Sequence, residues 1–307
     1  MAFSLEAHWV WDFWVADDGE TFHLYYLRAP ISLGDPDLRH RNARIGHATS
    51  PDLTEWTDHG EVLGPGVAGA FDETATWTGC VVRGDDGLWR MFYTGTVFLE
   101  ASSVRNIESI GMATSVDLSV WDKRDGFVLR AAGEYYEKLG DTAWADEAWR
   151  DPWVFRDPAG DGWHMLITAR GKDADSAAGG VIGHAWSPDL DTWTVQPPLI
   201  EPSRRFPHLE VLQVAEVDGT PVVLFCATRS DGADGVWVVT ADALPRHAPV
   251  DAARLLLPAP GYAGRIVADR AGVPVLLAFS RDDSGAPIGV TDPTPAGPLW
   301  REARGLG

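Results

Sequence analysis

The chain has 307 residues, a formal net charge of −20 and a hydrophobic fraction of 45%. This length and apolar content can bury a large core, which excludes intrinsic disorder. An acidic surface repels phosphate groups, so neither nucleic-acid nor anionic-membrane partners are predicted. No apolar run approaches the roughly 20 residues of a membrane helix, and the N-terminus lacks the basic and apolar regions of a secretory signal. We therefore expect a cytoplasmic protein.

Five hairpin-like segments follow one another along the chain. Each combines an apolar strand, a tight turn and a second apolar or aromatic strand. The five turns are Asp18-Gly19, Asp86-Gly87, Asp161-Gly162, Asp218-Gly219 and Ala271-Gly272. Asp-Gly between strand-like runs indicates a hairpin, because these residues accept the positive φ that tight turns need.

A second pattern follows the first three hairpins. IGHATSPDLTEW (45–56), IGMATSVDLSVW (110–121) and IGHAWSPDLDTW (182–193) share the form I-G-x-A-x-S-x-D-L-x-x-W. We interpret this pattern as scaffold: a third strand, a turn capped by the aspartate, and a fourth strand that starts at the tryptophan. A degraded copy, GVWVVTADALP (235–245), supplies a strand and a turn. Four antiparallel strands in each of five units predict an all-β, five-bladed β-propeller.

Helices and further domains have little support. No stretch shows sustained 3.6-residue periodicity, and GEYYEKLGDTAW (133–144) is interpreted as a loop with one helical turn. No linker is apparent, so residues 1–307 are predicted to form one domain. No Cys/His cluster has zinc-ligand spacing and no glycine-rich nucleotide motif occurs, so neither a metal site nor nucleotide chemistry is predicted.

Three carboxylates stand in otherwise apolar first strands: Asp12 in VWDFW, Asp151 in WRDPW and Glu210 in HLEVL. Since the first strands of propeller blades line the central channel, these side chains are predicted to share a pocket. Ionised groups are expensive to bury alone and need partners, water or a ligand. Glycoside hydrolysis uses such a set, because one carboxyl protonates the departing oxygen while another attacks carbon or activates water. Crowding raises the pKa of one carboxyl, which then keeps its proton near neutral pH.

These residues resemble the five-bladed-propeller glycosidases of glycoside hydrolase families 32 and 68, the invertases, fructanases and levansucrases. VWDFW is similar to the nucleophile segment of levansucrases, which implies Asp12 as the nucleophile and Trp11 as a substrate-binding neighbour. TWTGC and MFYTG resemble sequence motifs in the second blade of family 32 enzymes, which implies that Trp77 binds substrate.

The later blades extend the resemblance. WRDPWVF matches the Arg-Asp-Pro motif, which implies Asp151 as transition-state stabiliser and Arg150 as a substrate-binding residue. HLEVLQVAEVDG occupies the place of the acid/base segment and implies Glu210, with His208 binding substrate by position. GYAGRIVAD resembles a segment that carries a pocket aromatic, here Tyr262.

The sequence also departs from the family 32 pattern. Asn-Asp-Pro at the nucleophile and Glu-Cys at the acid/base are missing, and no C-terminal β-sandwich is expected after the propeller. A second Arg-Asp-Pro, residues 156–158, falls just before a hairpin turn. We interpret Asp157 as part of that turn and not of the site.

The resemblance implies a glycosidase of β-fructofuranosides, such as sucrose or short fructooligosaccharides, that retains configuration. It needs neither a metal nor an organic cofactor, and its expected partner is a small carbohydrate; the oligomeric state stays open. Fructosyl transfer to another sugar uses the same residues. The alternatives are a family-43-like inverting arabinofuranosidase or xylosidase with Asp12 as general base, a non-catalytic sugar-binding propeller or scaffold, and a phosphorylase.

Overall fold

The strands of the chain form five antiparallel sheets, and the sheets follow one another as the blades of a propeller. The computed structural model describes residues 2–174, 178–229, 231–241 and 248–305. The first four blades contain an uninterrupted meander in which each strand pairs with the next one along the chain. The predicted all-β, five-bladed propeller is therefore confirmed.

The strand bounds of the first four blades are as follows. Blade 1 comprises β1 (His8–Asp17), β2 (Phe22–Pro30), β3 (Arg44–Ser50) and β4 (Thr57–Leu63). Blade 2 comprises β5 (Ala75–Arg83), β6 (Trp89–Phe98), β7 (Asn106–Ser115) and β8 (Asp122–Lys123), and β9 (Asp146–Glu147) pairs in parallel with β7. Blade 3 comprises β10 (Trp149–Arg156), β11 (Trp163–Arg170), β12 (Gly180–Ser187) and β13 (Thr194–Gln196). Blade 4 comprises β14 (Glu210–Val217), β15 (Thr220–Thr228), β16 (Asp234–Thr240) and β17 (Arg254–Pro258).

Blade 5 is assembled from both ends of the sequence. It comprises β18 (Gly261–Ala268), β19 (Pro274–Arg281), β20 (Pro287–Val290) and β21 (Thr294–Pro295), and both β20 and β21 pair with β19. Phe3 then forms an antiparallel bridge with Val290 through two backbone hydrogen bonds, of 3.2 and 2.8 Å. The residues before blade 1 thus join the edge of blade 5 and close the ring.

The threefold repeat has the scaffold role that the sequence predicts. In its second copy the Asp117 carboxylate accepts hydrogen bonds from the backbone N–H groups of Ser119 and Val120, at 2.8 and 3.1 Å. The Trp121 indole donates to the carbonyl of Leu118 at 3.3 Å. The other two copies repeat these contacts, and the three leucines share a left-handed backbone: Leu53 (φ 69°), Leu118 (φ 65°) and Leu190 (φ 70°).

The tryptophans of the repeat pack between neighbouring blades. Trp121 of blade 2 meets Tyr25 of blade 1 edge-on, with ring centroids 5.6 Å apart. Trp193 of blade 3 meets Phe92 of blade 2 in the same way, at 5.4 Å. Each repeat thus caps one turn and joins two blades, so the repeated residues are scaffold.

Helical segments are present that the sequence did not predict. The α-helix α1 (Ala296–Ala303) follows blade 5, and 3-10 helices span Ile31–Leu33, Pro36–Asn42 and Val250–Ala252. These segments are too short for a 3.6-residue period to stand out in the sequence. No helix in the described part of the chain is long and apolar enough to span a bilayer.

Two further sequence interpretations fall on loops. In residues 133–144 one helical turn forms, because the Tyr136 N–H donates to the carbonyl of Ala132 at 3.0 Å; the segment is otherwise a loop. In residues 235–245 the predicted strand is confirmed as part of β16, and the predicted turn lies outside the described residues.

The first strand of every blade is interrupted at the same level by a β-bulge. A bulge bends its strand and re-aims the side chains beside it. The interruptions lie between Trp11 and Phe13, Trp77 and Gly79, Arg150 and Trp153, Glu210 and Gln213, and Tyr262 and Arg265. This backbone feature, repeated five times, directs side chains from distant parts of the sequence into one end of the channel.

Blades 1 and 3 contain buried histidine pairs that link stability to pH. His164 and His184 lie 2.9 Å apart between ring nitrogens, and His23 and His47 lie 3.0 Å apart. Burial, reinforced by the neighbouring ring, lowers the pKa of both His184 and His47 to about 4. In blade 2 the equivalent position is Met112.

We expect His184→Met to weaken the pH dependence of folding. An unfolded histidine binds a proton below pH of about 6.5, whereas folded His184 does so only near its lowered pKa. The free energy of unfolding of the wild type therefore falls between pH 6.5 and pH 4. Denaturant unfolding at pH 7 and 5 should show a fall that is about 2 kcal/mol smaller in the variant. Met112→Leu is the control and should leave the pH dependence as it is in the wild type. If the free energy of unfolding of His184→Met falls between pH 7 and pH 5 as much as that of the wild type, His184 does not have a lowered pKa in the folded protein.

Candidate active site

The bulged first strands converge on a pocket of about 360 Å³. Seven of the eight residues that the sequence nominated line it: Trp11, Asp12, Trp77, Arg150, Asp151, Glu210 and Tyr262. The eighth, His208, stands behind the wall, with its Nδ1 2.9 Å from Arg150 and 3.7 Å from Glu210. His208 thus contacts the site residues from the side away from the pocket.

The three carboxylates do not occupy one equivalent position. Asp12 and Asp151 each lie inside their bulge, and so does Thr78 in blade 2. Glu210 stands one position earlier, at the bulge edge, where blade 3 has Arg150. The sequence alone could not show this difference, because the bulges change the register within the strand.

Asp12 is held by the neighbouring blade. The Thr78 hydroxyl donates to its Oδ2 at 2.6 Å. Burial raises the pKa of Asp12; the Thr78 hydrogen bond opposes that rise, and the charge of Glu210 adds to it. One oxygen of Asp12 is thus fixed in place, and Oδ1 is left for a ligand.

Asp151 is buried and has a left-handed backbone, with φ of 55°. Its Oδ2 accepts hydrogen bonds from the Thr168 hydroxyl at 2.9 Å and from the Val211 backbone N–H at 3.2 Å. Burial raises the pKa of Asp151 to about 7, against the opposing charge of Arg150 and with the help of the other two carboxylates. This group is therefore poised to exchange a proton near neutral pH.

Both oxygens of Glu210 have partners. Arg150 Nη2 donates to Oε1 at 2.7 Å, and the Tyr262 hydroxyl donates to Oε2 at 2.6 Å. Burial alone would raise the pKa of Glu210, but the adjoining His208, the charge of Arg150 and the Tyr262 hydrogen bond outweigh it and lower the pKa below its ordinary value. Glu210 is consequently ionised in the free pocket.

Arg150 connects most of the acidic groups. Its Nη1 contacts Glu108 at 3.0 and 3.1 Å and Asp146 at 3.1 Å, and its Nε lies 3.7 Å from Asp151. Glu108 is fully buried, and burial raises its pKa to about 8 against the opposing charge of Arg150. Sequence reasoning missed Glu108, because it lies in NIESIGMATS, the third strand of blade 2, and the carboxylates were nominated from first strands.

The rim contains three basic residues that the sequence did not nominate. Arg39 and His40 come from the 3-10 helix between β2 and β3, and Arg281 ends β19. The His40 ring packs edge-on against Trp11 at 6.4 Å and Trp77 at 6.0 Å. Burial, helped by Arg39, lowers the pKa of His40 to about 3, so this ring is neutral. An insertion between two strands gives no periodic signal that would point to the pocket.

Arg265 ties the bulges together beneath the pocket. Its Nη1 donates to the carbonyls of Val211 and Leu212 at 3.1 and 2.7 Å, and its Nε donates to that of Phe13 at 3.4 Å. Its guanidinium also stacks over the Trp153 ring at 5.1 Å. These four residues are close in sequence to Asp12, Asp151 and Glu210, so one side chain from blade 5 contacts the backbone or ring next to each carboxylate.

The site offers hydrogen-bonding groups but no metal centre. Among the described residues, no cluster of three or more His, Cys, Asp or Glu side chains has a geometry that could hold a metal ion. The carboxylates of the pocket can transfer protons and attack an electrophilic carbon, and the buried arginines beside them can stabilise the charges that develop.

Comparison with known proteins assigns the family. The model of the glycosyl hydrolases family 32 N-terminal domain matches residues 14–248. This chain belongs to glycoside hydrolase family 32. The matched segment includes Asp151 and Glu210 and begins just after Asp12. No curated protein sequence matches the chain.

Solved structures of an inulosucrase and of two β-fructofuranosidases share this fold. An inulosucrase from Halalkalicoccus jeotgali bound to kestose has a TM-score of 0.74 and 23% identity, and the match covers 92% of this chain and 78% of that one. The catalytic domain of the Microbacterium saccharophilum K-1 β-fructofuranosidase gives 0.70 and 19%, covering 94% and 79%. A Bombyx mori family 32 β-fructofuranosidase mutant in complex with sucrose gives 0.68 and 18%, covering 94% and 60%. At these identities the likeness shows the fold alone.

We expect Asp151→Asn to stabilise the family 32 propeller at neutral pH. The pKa of Asp151 is about 7 in the folded protein and about 4 in an unfolded chain. The folded state therefore binds a proton that the unfolded state has lost, and the free energy of unfolding falls as pH rises from 4 to 7. Asparagine keeps an oxygen that accepts from Thr168 and Val211, and because it does not ionise, it removes this fall in the free energy of unfolding. At pH 8 the free energy of unfolding of the variant should exceed that of the wild type by about 1–4 kcal/mol in denaturant unfolding, and this gain should shrink toward pH 4. Asp157→Asn is the control. If Asp151→Asn shows no gain at pH 8, the pKa of Asp151 is not raised in the folded protein.

We expect Arg265→Met to destabilise the protein by about 3 kcal/mol or more, because three buried carbonyls lose their donor. The control is Arg270→Met: Arg270 also donates hydrogen bonds, to Asp17, and stacks on an aromatic ring, that of Phe22, but it lies on the surface. Exposed pairs contribute about 1 kcal/mol or less. Equal destabilisation of the two variants in denaturant unfolding would show that Arg265 has no special role.

Proposed function

We propose that this chain is a glycosidase that releases the fructosyl unit of β-fructofuranosides with retention of configuration. The observation that carries the proposal is the convergence of Asp12, Asp151 and Glu210 on one pocket, two of them in contact with Arg150. The proposal takes its substrate class from the family and from two neighbours, which are described as bound to kestose and in complex with sucrose.

Asp12 is the proposed nucleophile. The Thr78 hydroxyl fixes its Oδ2, and Oδ1 attacks the anomeric carbon as the bond from that carbon to the leaving oxygen breaks. The nucleophile must be ionised, and the raised pKa of Asp12 in the free pocket opposes ionisation. The positive charge of Arg265 favours it.

Glu210 is the proposed acid/base. It gives a proton to the leaving oxygen, and in the second step it takes a proton from the water that attacks the anomeric carbon and frees Asp12. Glu210 is ionised in the free pocket, whereas the first step needs it protonated. The proposal therefore includes a redistribution of protons when the sugar binds. Sugar hydroxyls donate hydrogen bonds to Asp151, which lowers its pKa and releases its proton. The bound sugar also displaces water from around Glu210, which raises the pKa of Glu210 so that it takes up a proton.

Asp151 is the proposed transition-state stabiliser. Once ionised, it accepts hydrogen bonds from sugar hydroxyls and faces the positive charge that develops on the ring. Its two protein donors, Thr168 and Val211, both bind Oδ2. Oδ1 is thus available to the sugar.

We expect the wild type to release free fructose from sucrose and from kestose, and Asp12→Asn to release none that can be measured. Glu210→Gln should lower kcat about 10²–10⁴-fold on these poor leaving groups. Asp157→Asn is the matched control, because it makes the same substitution in the other Arg-Asp-Pro, whose aspartate accepts from Ala159 and contacts His164 at the hairpin turn. Its kcat should be that of the wild type.

The first product anomer, followed by NMR, separates the two mechanisms. β-Fructofuranose as the first product supports retention. The α-anomer would contradict it and would favour the family-43-like inverting mechanism, in which Asp12 activates a water. No fructose release by a folded wild type would contradict the proposed substrate class.

A further inference from the structure

A second cavity, of about 560 Å³, opens beside the catalytic pocket. The two share three wall residues, His40, Trp77 and Asp146. A glycoside whose fructosyl unit occupies the catalytic pocket has its other half, the aglycone, at the pocket mouth. The shared walls make this second cavity the place where an aglycone can lie.

The walls of the second cavity are mainly apolar. Trp77, Phe98 and Trp144 supply aromatic rings, and the first two pack edge-on at 5.9 Å. Leu38 and Val104 also line the cavity and remain 39% and 71% exposed. Exposed apolar side chains clustered around a cavity mark a binding surface when they adjoin a functional site.

Three polar side chains at this cavity, Arg41, Asn106 and Trp77, are already engaged by the protein, whereas Asp146, on the wall shared with the catalytic pocket, keeps its Oδ1 without a hydrogen-bond partner. Arg41 donates to the carbonyls of Glu100 and Ser103, and its guanidinium stacks on the Phe98 ring at 4.2 Å. Its Nη2 therefore points to the backbone, and the face of the guanidinium lies against an aromatic ring.

Asn106 and Trp77 are engaged in the same way. The Asn106 amide donates to the carbonyl of Val104 at 3.0 Å and accepts from the Thr96 hydroxyl at 3.3 Å. The Trp77 indole donates to the carbonyl of His40 at 2.7 Å. A sugar carries several hydroxyls that need partners when they leave water, and these side chains have few left to give.

We propose that the second cavity binds an apolar aglycone of the size of an aromatic ring, and that the preferred substrates are fructosides of apolar alcohols. The inference rests on the proposed function and refines its substrate class. Burial of a ring against Trp77, Phe98 and Trp144 supplies binding energy beside the reacting bond, and this energy raises kcat/KM.

A pair of substrates tests the inference without changing the chemistry of the leaving group. Methyl and benzyl β-fructofuranosides both release an alcohol of similar acidity and differ in the apolar ring. We expect the wild type to show kcat/KM about tenfold or more higher for the benzyl substrate. A ratio within twofold of one would overturn the inference, and so would a higher kcat/KM for sucrose than for the benzyl substrate.

A double variant locates the effect. Leu38→Asn with Val104→Asn makes the cavity mouth polar and should bring the benzyl-to-methyl ratio close to one. The matched control is Val116→Asn with Val120→Asn, which changes two exposed valines (82% and 66%) in the capped turn of blade 2 and not in the cavity. The control should keep the wild-type ratio; a benzyl preference that survives in the cavity variant would place the ring elsewhere and overturn the inference.

Binding to Asp12→Asn, measured by calorimetry, separates failure of this inference from failure of the proposed function. Tighter binding of the benzyl than the methyl fructoside, lost in the cavity variant, supports the inference without any turnover. If the wild type releases fructose and the two fructosides bind Asp12→Asn equally, the cavity proposal fails and the function stands. If the wild type releases no fructose and neither fructoside binds, both fail.

Discussion

A single buried cation, Arg150, organises the acidic groups of the site. Its guanidinium lies within 3.1 Å of Glu108, Asp146 and Glu210. Without it, adjacent carboxylates could not all ionise away from water, because the mutual repulsion and lost hydration would far exceed the marginal stability of a protein domain. The arrangement is also uneven: Arg150 binds Glu210 directly and lies farther from Asp151, so the two carboxyls differ in pKa although they stand side by side. The difference in pKa between these two carboxyls thus comes from the placement of Arg150, together with His208 and Tyr262 beside Glu210.

The same backbone feature, a β-bulge, places a different pair of side chains at the pocket in each of the five blades. The bulge in each first strand puts one residue at its edge and the next inside it, and the pair is Trp11-Asp12 in blade 1 but Tyr262-Ala263 in blade 5. Because the bulge is set by the backbone, side chains at these two positions can change without rebuilding the blade. Arg265 contributes from below by holding carbonyls of blades 1 and 4 together. The residues that hold the fold together are therefore separate from those of the site. The repeated turns join neighbouring blades, and the residues that line the pocket belong to the inner strands and do not repeat.

The sequence was sufficient for the fold because its signals are local and repeated. Asp-Gly turns and the S-x-D-L turn each act within a few residues, and three copies of the latter expose the period. Carboxylates inside apolar first strands could likewise be found from the sequence, as Asp12, Asp151 and Glu210, but Glu108 lies in a third strand, where this criterion does not apply. Arg39 and His40 could not, since an insertion between strands has no periodicity and only the folded chain shows which loop covers the pocket. The direction of the Glu210 pKa shift was also beyond the sequence, because besides the nearby His208 it depends on Arg150 and Tyr262, which are far away along the chain.

The bridge between Phe3 and Val290 has a consequence for how the protein is made. A ribosome releases the chain from its N-terminus, so the first segment emerges long before the strand with which it pairs. Until blade 5 has been synthesised, the ring is open, and the edges of blade 1 and of the newest blade expose unpaired backbone groups. The pocket draws on the first blade and the last, so it cannot exist on a partial chain. The complete pocket therefore forms in one late step, and until then the open edges can pair with those of other chains.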